Sequence, residues 1–275
     1  MASGIRISSI ALAAFAAAAA AVTPAAAGDA KPSFADKGEF VVCTDATFPP
    51  MEFFEVAGDE KPAGYDIDLA EALSLHWGIK SRFVVSDFTG LLPGLESQRC
   101  DAVISGILVT PERTKTYDAT PYLSTSLVVF TLAKSDLAVS DPADLSGKVV
   151  AVQAGTHYVE ELEKINEKLK SEGKAEISIQ TYPKQTDVIQ QVLVGRAAAA
   201  VSQDTELAYR DLQYPGQLKT VYAFPGQDTF GVYLRRNGDD KTAVADALSA
   251  LVQDGTLKSI TENWRLSPEA ITAGK

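Results

Sequence analysis

The segment ISGILVTPERTKTYDATPYL, residues 104–123, sets one arginine, Arg113, shortly behind a run that reads as buried strand. A guanidinium is a planar fork of donors that can hold a carboxylate by two charge-assisted hydrogen bonds, which lysine cannot reproduce. Thr110, just ahead of Pro111, can supply a hydroxyl and a backbone N–H, and Ser105 and Gly106 end the preceding strand. In AGTHYVEEL, Gly155, Thr156 and His157 stand at a helix N-terminus, where free N–H groups and the helix dipole favour an anion. Asp204 follows the strand AAAAVSQ and can neutralise a cation, whereas its neighbour Gln203 cannot. Each residue also has a plainer reading: Arg113 and Thr110 as caps of the helix in TPERTKTYD, Thr156 and Asp204 as N-caps, and His157 as an exposed first-turn residue.

Three further residues sit in loops after strands: Asp45 and Phe48 in DATFPP, and Phe88 in DFTGLL. Asp45 suits an amide or cationic group, or it bonds neighbouring backbone. A zinc site is not expected, because the chain has two histidines and no ligand spacing of the C-x-x-C or H-E-x-x-H kind. A formal charge of −11 makes nucleic acid and anionic membrane surfaces poor partners. The two cysteines, Cys43 and Cys100, both abut apparent strands. In an oxidising compartment, neighbouring parallel strands can bring them to bridging distance, or they remain two buried thiols.

These residues need elements to position them, and the first segment to set aside is residues 1–27. Arg6, an apolar stretch from Ile10 to Val22, and Ala25-x-Ala27 read as a cleavable export signal, giving a mature chain from Gly28 in the periplasm. Beyond it, short apolar runs alternate with helix-period segments, which predicts an α/β fold with parallel sheets. EFVVCT, RFVVSDF and DAVISGI read as strands. Leu69, Ala72, Leu73, His76 and Trp77 form one helix face that Gly78 stops, which makes His76 the edge of a packed face. A second set follows: KVVAVQ, ISIQTY and AAAAVSQ as strands, with helix faces on Tyr158, Leu162, Ile165 and Leu169 and on Val188, Ile189, Val192 and Leu193. The C-terminal helices have no strands of their own beyond FGVYL, so the chain is expected to cross back and close the first unit. The expected organisation is lobe 1 from residues 28–123 and 228–275 and lobe 2 from residues 124–227.

With these elements placed, VVCTDATFPPMEFF, GYDIDLAEAL, FTGLLPGLESQRCDAVISGILVTPERT, PYLSTS, VVAVQAGT, GRAAAAVSQDTELAY and DGTLKSITENW occur in register. The mature chain thereby resembles the periplasmic solute-binding proteins that serve ABC importers of polar amino acids. The resemblance implies a two-lobed periplasmic-binding-protein fold of type II, two parallel-type sheets joined by two hinge strands, with ligand in the cleft. It makes Arg113 the clamp for an α-carboxylate, helped by Thr110, Thr156 and the backbone of Ser105 and Gly106. It gives the ammonium to Asp204, or to Gln203 in another frame. Phe48 and Phe88 sandwich the aliphatic part, and Asp45 faces the ligand side chain. It also implies a monomer with no enzymatic activity and no cofactor, handing a small zwitterion to a membrane permease. Two departures stand out: Leu108 occupies a position where relatives often have Ser or Thr, and Cys43 replaces a common Gly. Two other groups are similar. Periplasmic cyclohexadienyl dehydratases would need a general acid of tuned pKa. The accessory proteins of quinone-dependent methanol dehydrogenases carry cysteines in places like Cys43 and Cys100 but generally lack the TPER segment.

Overall fold

The computed structural model describes Met1 and residues 31–56 and 58–274, so the expected export signal lies outside the described residues apart from Met1. No described helix is long and apolar enough to cross a membrane. Among the described residues, twelve strands and eight α-helices run in chain order. They begin with β1 (Glu39–Thr44), the short hairpin β2 (Thr47–Phe48) and β3 (Glu52–Phe53), α1 (Tyr65–Trp77), β4 (Lys80–Val85), α2 (Leu91–Glu96), β5 (Ala102–Val103), α3 (Pro111–Thr114) and β6 (Tyr117–Thr125). The chain continues through β7 (Leu127–Leu132), β8 (Val149–Gln153), α4 (His157–Ser171), β9 (Ser178–Tyr182), α5 (Gln185–Leu193), β10 (Ala199–Gln203), α6 (Asp204–Gln213) and β11 (Leu218–Ala223). It returns through β12 (Asp228–Arg235), α7 (Gly238–Gln253) and α8 (Thr256–Asn263).

Two five-stranded sheets define two lobes. The first has the order β4-β1-β5-β12-β6, and the second β11-β7-β10-β8-β9. In the first, β4, β1 and β5 are parallel and β12 runs antiparallel to both neighbours. In the second, β9, β8 and β10 are parallel and β7 is antiparallel. The parallel strands explain the near-continuous apolar runs of EFVVCT and VVAVQ, because helices cover both faces. The first sheet keeps β6 as far as Thr125, so the outward crossing falls at Ser126, and the return crossing spans residues 224–227.

Local sequence sets each boundary that matters for the cleft. Helix α1 begins at Gly64, where a Cβ would lie 2.2 Å from the Met51 carbonyl oxygen, so only glycine permits that approach. It ends at Gly78, whose left-handed backbone lets its N–H reach the Ser74 and Leu75 carbonyls. Its buried face ends in Trp77, packed edge-on against Phe34 and Phe40 with centroids 5.5 and 5.3 Å away. On the opposite side of the sheet, Leu91 and Leu95 of α2 cover Cys43 and Cys100, which form a disulfide.

Candidate functional site

The carboxyl ends of the parallel strands of both sheets meet across a cleft, the place where open α/β sheets hold ligands. From lobe 1, β1 delivers Asp45, which is 2% exposed, and the β2/β3 hairpin delivers Phe48 and Glu52. Ser105 Oγ accepts from the Asp45 N–H at 2.8 Å and donates to Glu52 Oε1 at 2.9 Å. Gly106 is required beside them, because φ is +47° and a Cβ would sit 2.6 Å from the Phe48 ring. Its N–H donates to Asp66 Oδ2 at 2.6 Å, and the Tyr122 hydroxyl donates to Asp66 Oδ1 at 2.7 Å.

Glu52 and Asp66 form a buried carboxyl pair. Burial, the adjacent Asp66 charge and a hydrogen bond to Asp66 hold the Glu52 carboxyl well above the usual carboxylate range. Asp66 is the better solvated by hydrogen bonds, so Glu52 holds the proton. Glu52 Oε2 has no hydrogen-bond partner among the described residues.

Arg113 lies on α3, which Thr110 caps by accepting the Arg113 N–H at 3.3 Å. Its side chain leaves that helix for the cleft. Nη1 donates to the Leu108 carbonyl at 2.9 Å, Nη2 reaches across to the Gly155 carbonyl of lobe 2 at 3.2 Å, and the guanidinium carbon stands 5.7 Å from the Phe88 ring centroid. The Tyr233 hydroxyl shares the Leu108 carbonyl at 2.8 Å. The lobes meet closely here, since a Cβ on Gly155 would lie 2.8 Å from Thr89 Cγ2.

From lobe 2, Thr156 precedes α4 and donates its hydroxyl to the Gln153 carbonyl at 2.7 Å. Gln153 in turn spans the cleft: its Nε2 donates to Asp45 Oδ2 at 2.5 Å and to the Pro183 carbonyl at 3.1 Å. The Tyr158 hydroxyl bonds Gln203 Oε1, both groups fully or nearly buried. Phe48, Glu52 and Phe88 from one lobe and Gln153, Thr156 and Tyr158 from the other enclose only about 10 Å³, bordered also by Ser105 and Gly106. That is on the order of a single water, so a larger solute enters only when the lobes part.

Of the residues singled out in the sequence, the structure brings Phe48, Phe88, Ser105, Gly106 and Thr156 around one space, with Arg113 against Phe88 and Asp45 joined through Gln153. Thr110 stands behind Arg113 and positions it. Asp204 stands elsewhere: exposed, it accepts from Thr125 Oγ1 at 2.8 Å and from the Ser126 N–H at 3.1 Å at the outward crossing. His157 bonds Glu160 on its own helix. Glu52, Gln153 and Tyr158 carried no motif, although an acid inside the apolar run PPMEFF and a glutamine ending VVAVQ were visible signals.

Burial raises the Asp45 carboxyl from 3.8 to about 6, with Asp87 adding to the rise and Gln153, Thr47 and Lys184 opposing it. A raised acid binds more protons folded than unfolded, so stability falls as pH climbs from about 4 to 6 and the full penalty, about 2–3 kcal/mol, applies above that window. We therefore expect Asp45→Asn, which keeps the acceptor for Gln153, to unfold at higher temperature than the parent at pH 7.5. The gap should narrow towards pH 4; a gap that is the same at both pH values overturns this.

The geometry can be set beside known proteins. Residues 40–267 match the model of the bacterial extracellular solute-binding proteins, family 3. The L-cystine-binding protein TcyJ of Escherichia coli (strain K12) is 30% identical over 234 residues, covering 83% of both chains. Among solved structures, a mutant of ArgBP from T. maritima superposes with a TM-score of 0.76 at 28% identity, covering 84% of this chain and 96% of that one. An ancestral amino acid-binding protein described as a precursor of cyclohexadienyl dehydratase does so with a TM-score of 0.73 at 28% identity, with the same coverage. With the family match spanning nearly all of both sheets and the cleft between them, the chain belongs to the bacterial extracellular solute-binding proteins, family 3.

Proposed function

We propose that this protein is the substrate-binding component of an ABC importer, working outside the cytoplasm and capturing a polar amino acid or a similar zwitterion by lobe closure. One observation carries the reading. Arg113, rooted in lobe 1, donates across the cleft to the Gly155 carbonyl beside the start of α4. A ligand carboxylate placed there would touch the guanidinium of one lobe and the helix N-terminus of the other, so it would bind the closed form better than the open one. Neutral carbonyls hold the guanidinium in place without neutralising it, which leaves the charge for the ligand. The relatives named for cystine and arginine support an amino acid as the solute.

In this reading the ligand ammonium turns to Glu52, which lines the enclosed space, and Asp204 serves the crossing. An ammonium arriving at Glu52 would lower the pKa of the carboxyl, so that its proton is released to water and an ion pair takes its place. The protein is a monomer that delivers its solute to a membrane permease. Micromolar affinity, about −8 kcal/mol, is within reach of these few buried contacts.

Thermal unfolding against a panel of amino acids and related zwitterions tests the reading. A ligand at a hundred times its Kd should add about 2.7 kcal/mol, raising the midpoint by roughly 5–10 °C for a chain of this size. A panel without one stabilising amino acid sinks it. A second reading, dehydration of a cyclic acid, is favoured by one observation: a protonated, buried Glu52 facing the cleft could serve as a general acid. It ranks lower because that proton is already engaged with Asp66. Turnover of prephenate or arogenate would reverse the order.

A further inference from the structure

The lobes also meet on the rim of the cleft, through side chains that do no polar chemistry. Phe53 of β3 and Trp264, which caps the end of α8, belong to lobe 1, and Tyr209 of α6 belongs to lobe 2. Phe53 meets Trp264 edge-to-face, with centroids 5.8 Å apart and an interplanar angle of 84°. It meets Tyr209 across the cleft at 5.6 Å and 56°. Aromatic pairs attract in such tilted and perpendicular arrangements when their centroids are roughly 4.5–7 Å apart.

The lobe 1 half of this contact is held from several sides. Phe53 and Ala63 exchange two backbone hydrogen bonds, at 2.9 and 2.8 Å, and Trp264 Nε1 donates to Asp68 Oδ2 of α1 at 2.7 Å. The chain turns directly after Trp264: Arg265 is left-handed at φ +57°, its N–H reaches the Glu262 carbonyl at 3.0 Å, and the Leu266 N–H reaches the Thr261 carbonyl at 2.9 Å. Glycine makes that helix ending without strain and arginine does not, so the rest of the structure must hold the turn. Tyr209 and Trp264 face outwards onto an open groove of about 300 Å³. Neither borders the enclosed space beside Arg113 or the cavity of about 620 Å³ between the lobes, which Phe53 does border.

Resting on the lobe-closure reading above, we propose that Tyr209 is a positioning residue for solute capture: with Phe53 and Trp264 it forms an aromatic clasp that favours the closed form and sets affinity without touching the solute. Tyr209 can meet Phe53 only while the lobes are together, so the attraction is added to the closed form alone. An aromatic pair of this kind corresponds to about a fivefold change in an equilibrium constant. If the free protein is mostly open, every affinity carries that factor, whatever the side chain of the solute, because the apparent Kd scales inversely with the closed fraction. If it is mostly closed, the factor appears in the open fraction instead. One amide reads that fraction without any ligand: the Gln185 N–H donates across the cleft to Thr47 Oγ1 at 3.2 Å, and it opens α5, where the helix offers it no acceptor of its own.

Tyr209→Ala removes the clasp and Tyr209→Phe keeps its ring. Calorimetric titration with L-arginine and with L-cystine measures affinity, and amide hydrogen exchange at Gln185 in the ligand-free protein measures opening. Tyr209→Ala should bind both probes more weakly by one common factor of about five, or exchange Gln185 about fivefold faster, while Tyr209→Phe matches the parent in both measurements. Exchange at Val42, inside the first sheet between β4 and β5, should stay at the parental rate. Parental affinity together with parental Gln185 exchange in Tyr209→Ala overturns the clasp. So does a loss that differs between the two probes, one that Tyr209→Phe shares, or one accompanied by faster exchange at Val42. Faster Gln185 exchange alone, with no amino acid bound by the parent, keeps the clasp and overturns the amino-acid reading.

Discussion

Arg113→Lys should weaken amino acid binding by roughly 30-fold or more, about 2 kcal/mol, with the unfolding midpoint moved by no more than a degree or two. The charge survives this substitution, so the loss measures geometry. A lysine ammonium has no planar fork and cannot keep one donor on Leu108 while offering another across the cleft, as Nη1 and Nη2 do now. The cation–π contact of the guanidinium with the Phe88 ring, 5.7 Å from carbon to centroid, is lost as well. Arg113→Met, which keeps the stem and removes the charge, should lower affinity further, by more than about a hundredfold. If the lysine variant binds with parental affinity, the carboxylate sits elsewhere and the assignment of Arg113 falls with it.

The second large effect concerns stability. The Cys43–Cys100 bond joins residues 57 apart in sequence, and the loop entropy that such a link removes from the unfolded chain corresponds to about 4 kcal/mol. Replacing both cysteines by alanine should therefore lower the unfolding midpoint by roughly 10 °C. Both cysteines are at most 1% exposed, so a reductant should act on the unfolded chain and leave native protein oxidised. A double variant melting within about 2 °C of the parent would refute the estimate. The bond also fixes two strands that feed the cleft: Cys43 is two residues from Asp45, and Cys100 leads through β5 to Ser105.

Much of this was legible in the sequence. Alternating apolar runs and helix faces give two parallel-type sheets because helix-covered strands need no polar alternation. Arg113 stood out as an arginine shortly behind a buried strand, and its side chain does reach into the cleft. The contacts across the cleft were not legible. Gln153 and Asp45 are 108 positions apart, and no local pattern specifies a bond between two lobes. The β2/β3 hairpin has strands of two residues each, too short to show a period, so Glu52 passed as part of an apolar run. Gln203 and Asp204 differ by one position at the end of β10, and successive strand residues face opposite sides. The buried one is Gln203, whereas the acid is favoured in the sequence because a carboxylate can neutralise an ammonium. The cysteine pairing depended on β1 and β5 being neighbours, with Cys43 opposite Val103, and strand order is not written in any one segment.

The two crossings carry a mechanical consequence. They run side by side: β6 pairs with β12 up to Thr125 opposite Asp228, and on the far side Phe224 donates to the Leu127 carbonyl at 2.9 Å. Ladder bonds therefore grip both straps on either side of a gap of a few residues, with Asp204 fastening Thr125 and Ser126 at its edge. Paired straps resist sliding and stretching, which would break several ladder bonds together, yet they yield to bending and twisting within the gap. Relative motion of the lobes is thereby reduced to two angular coordinates, a bend and a twist. Two distances between reporters on the two rims, placed to separate these motions, would then follow the whole opening.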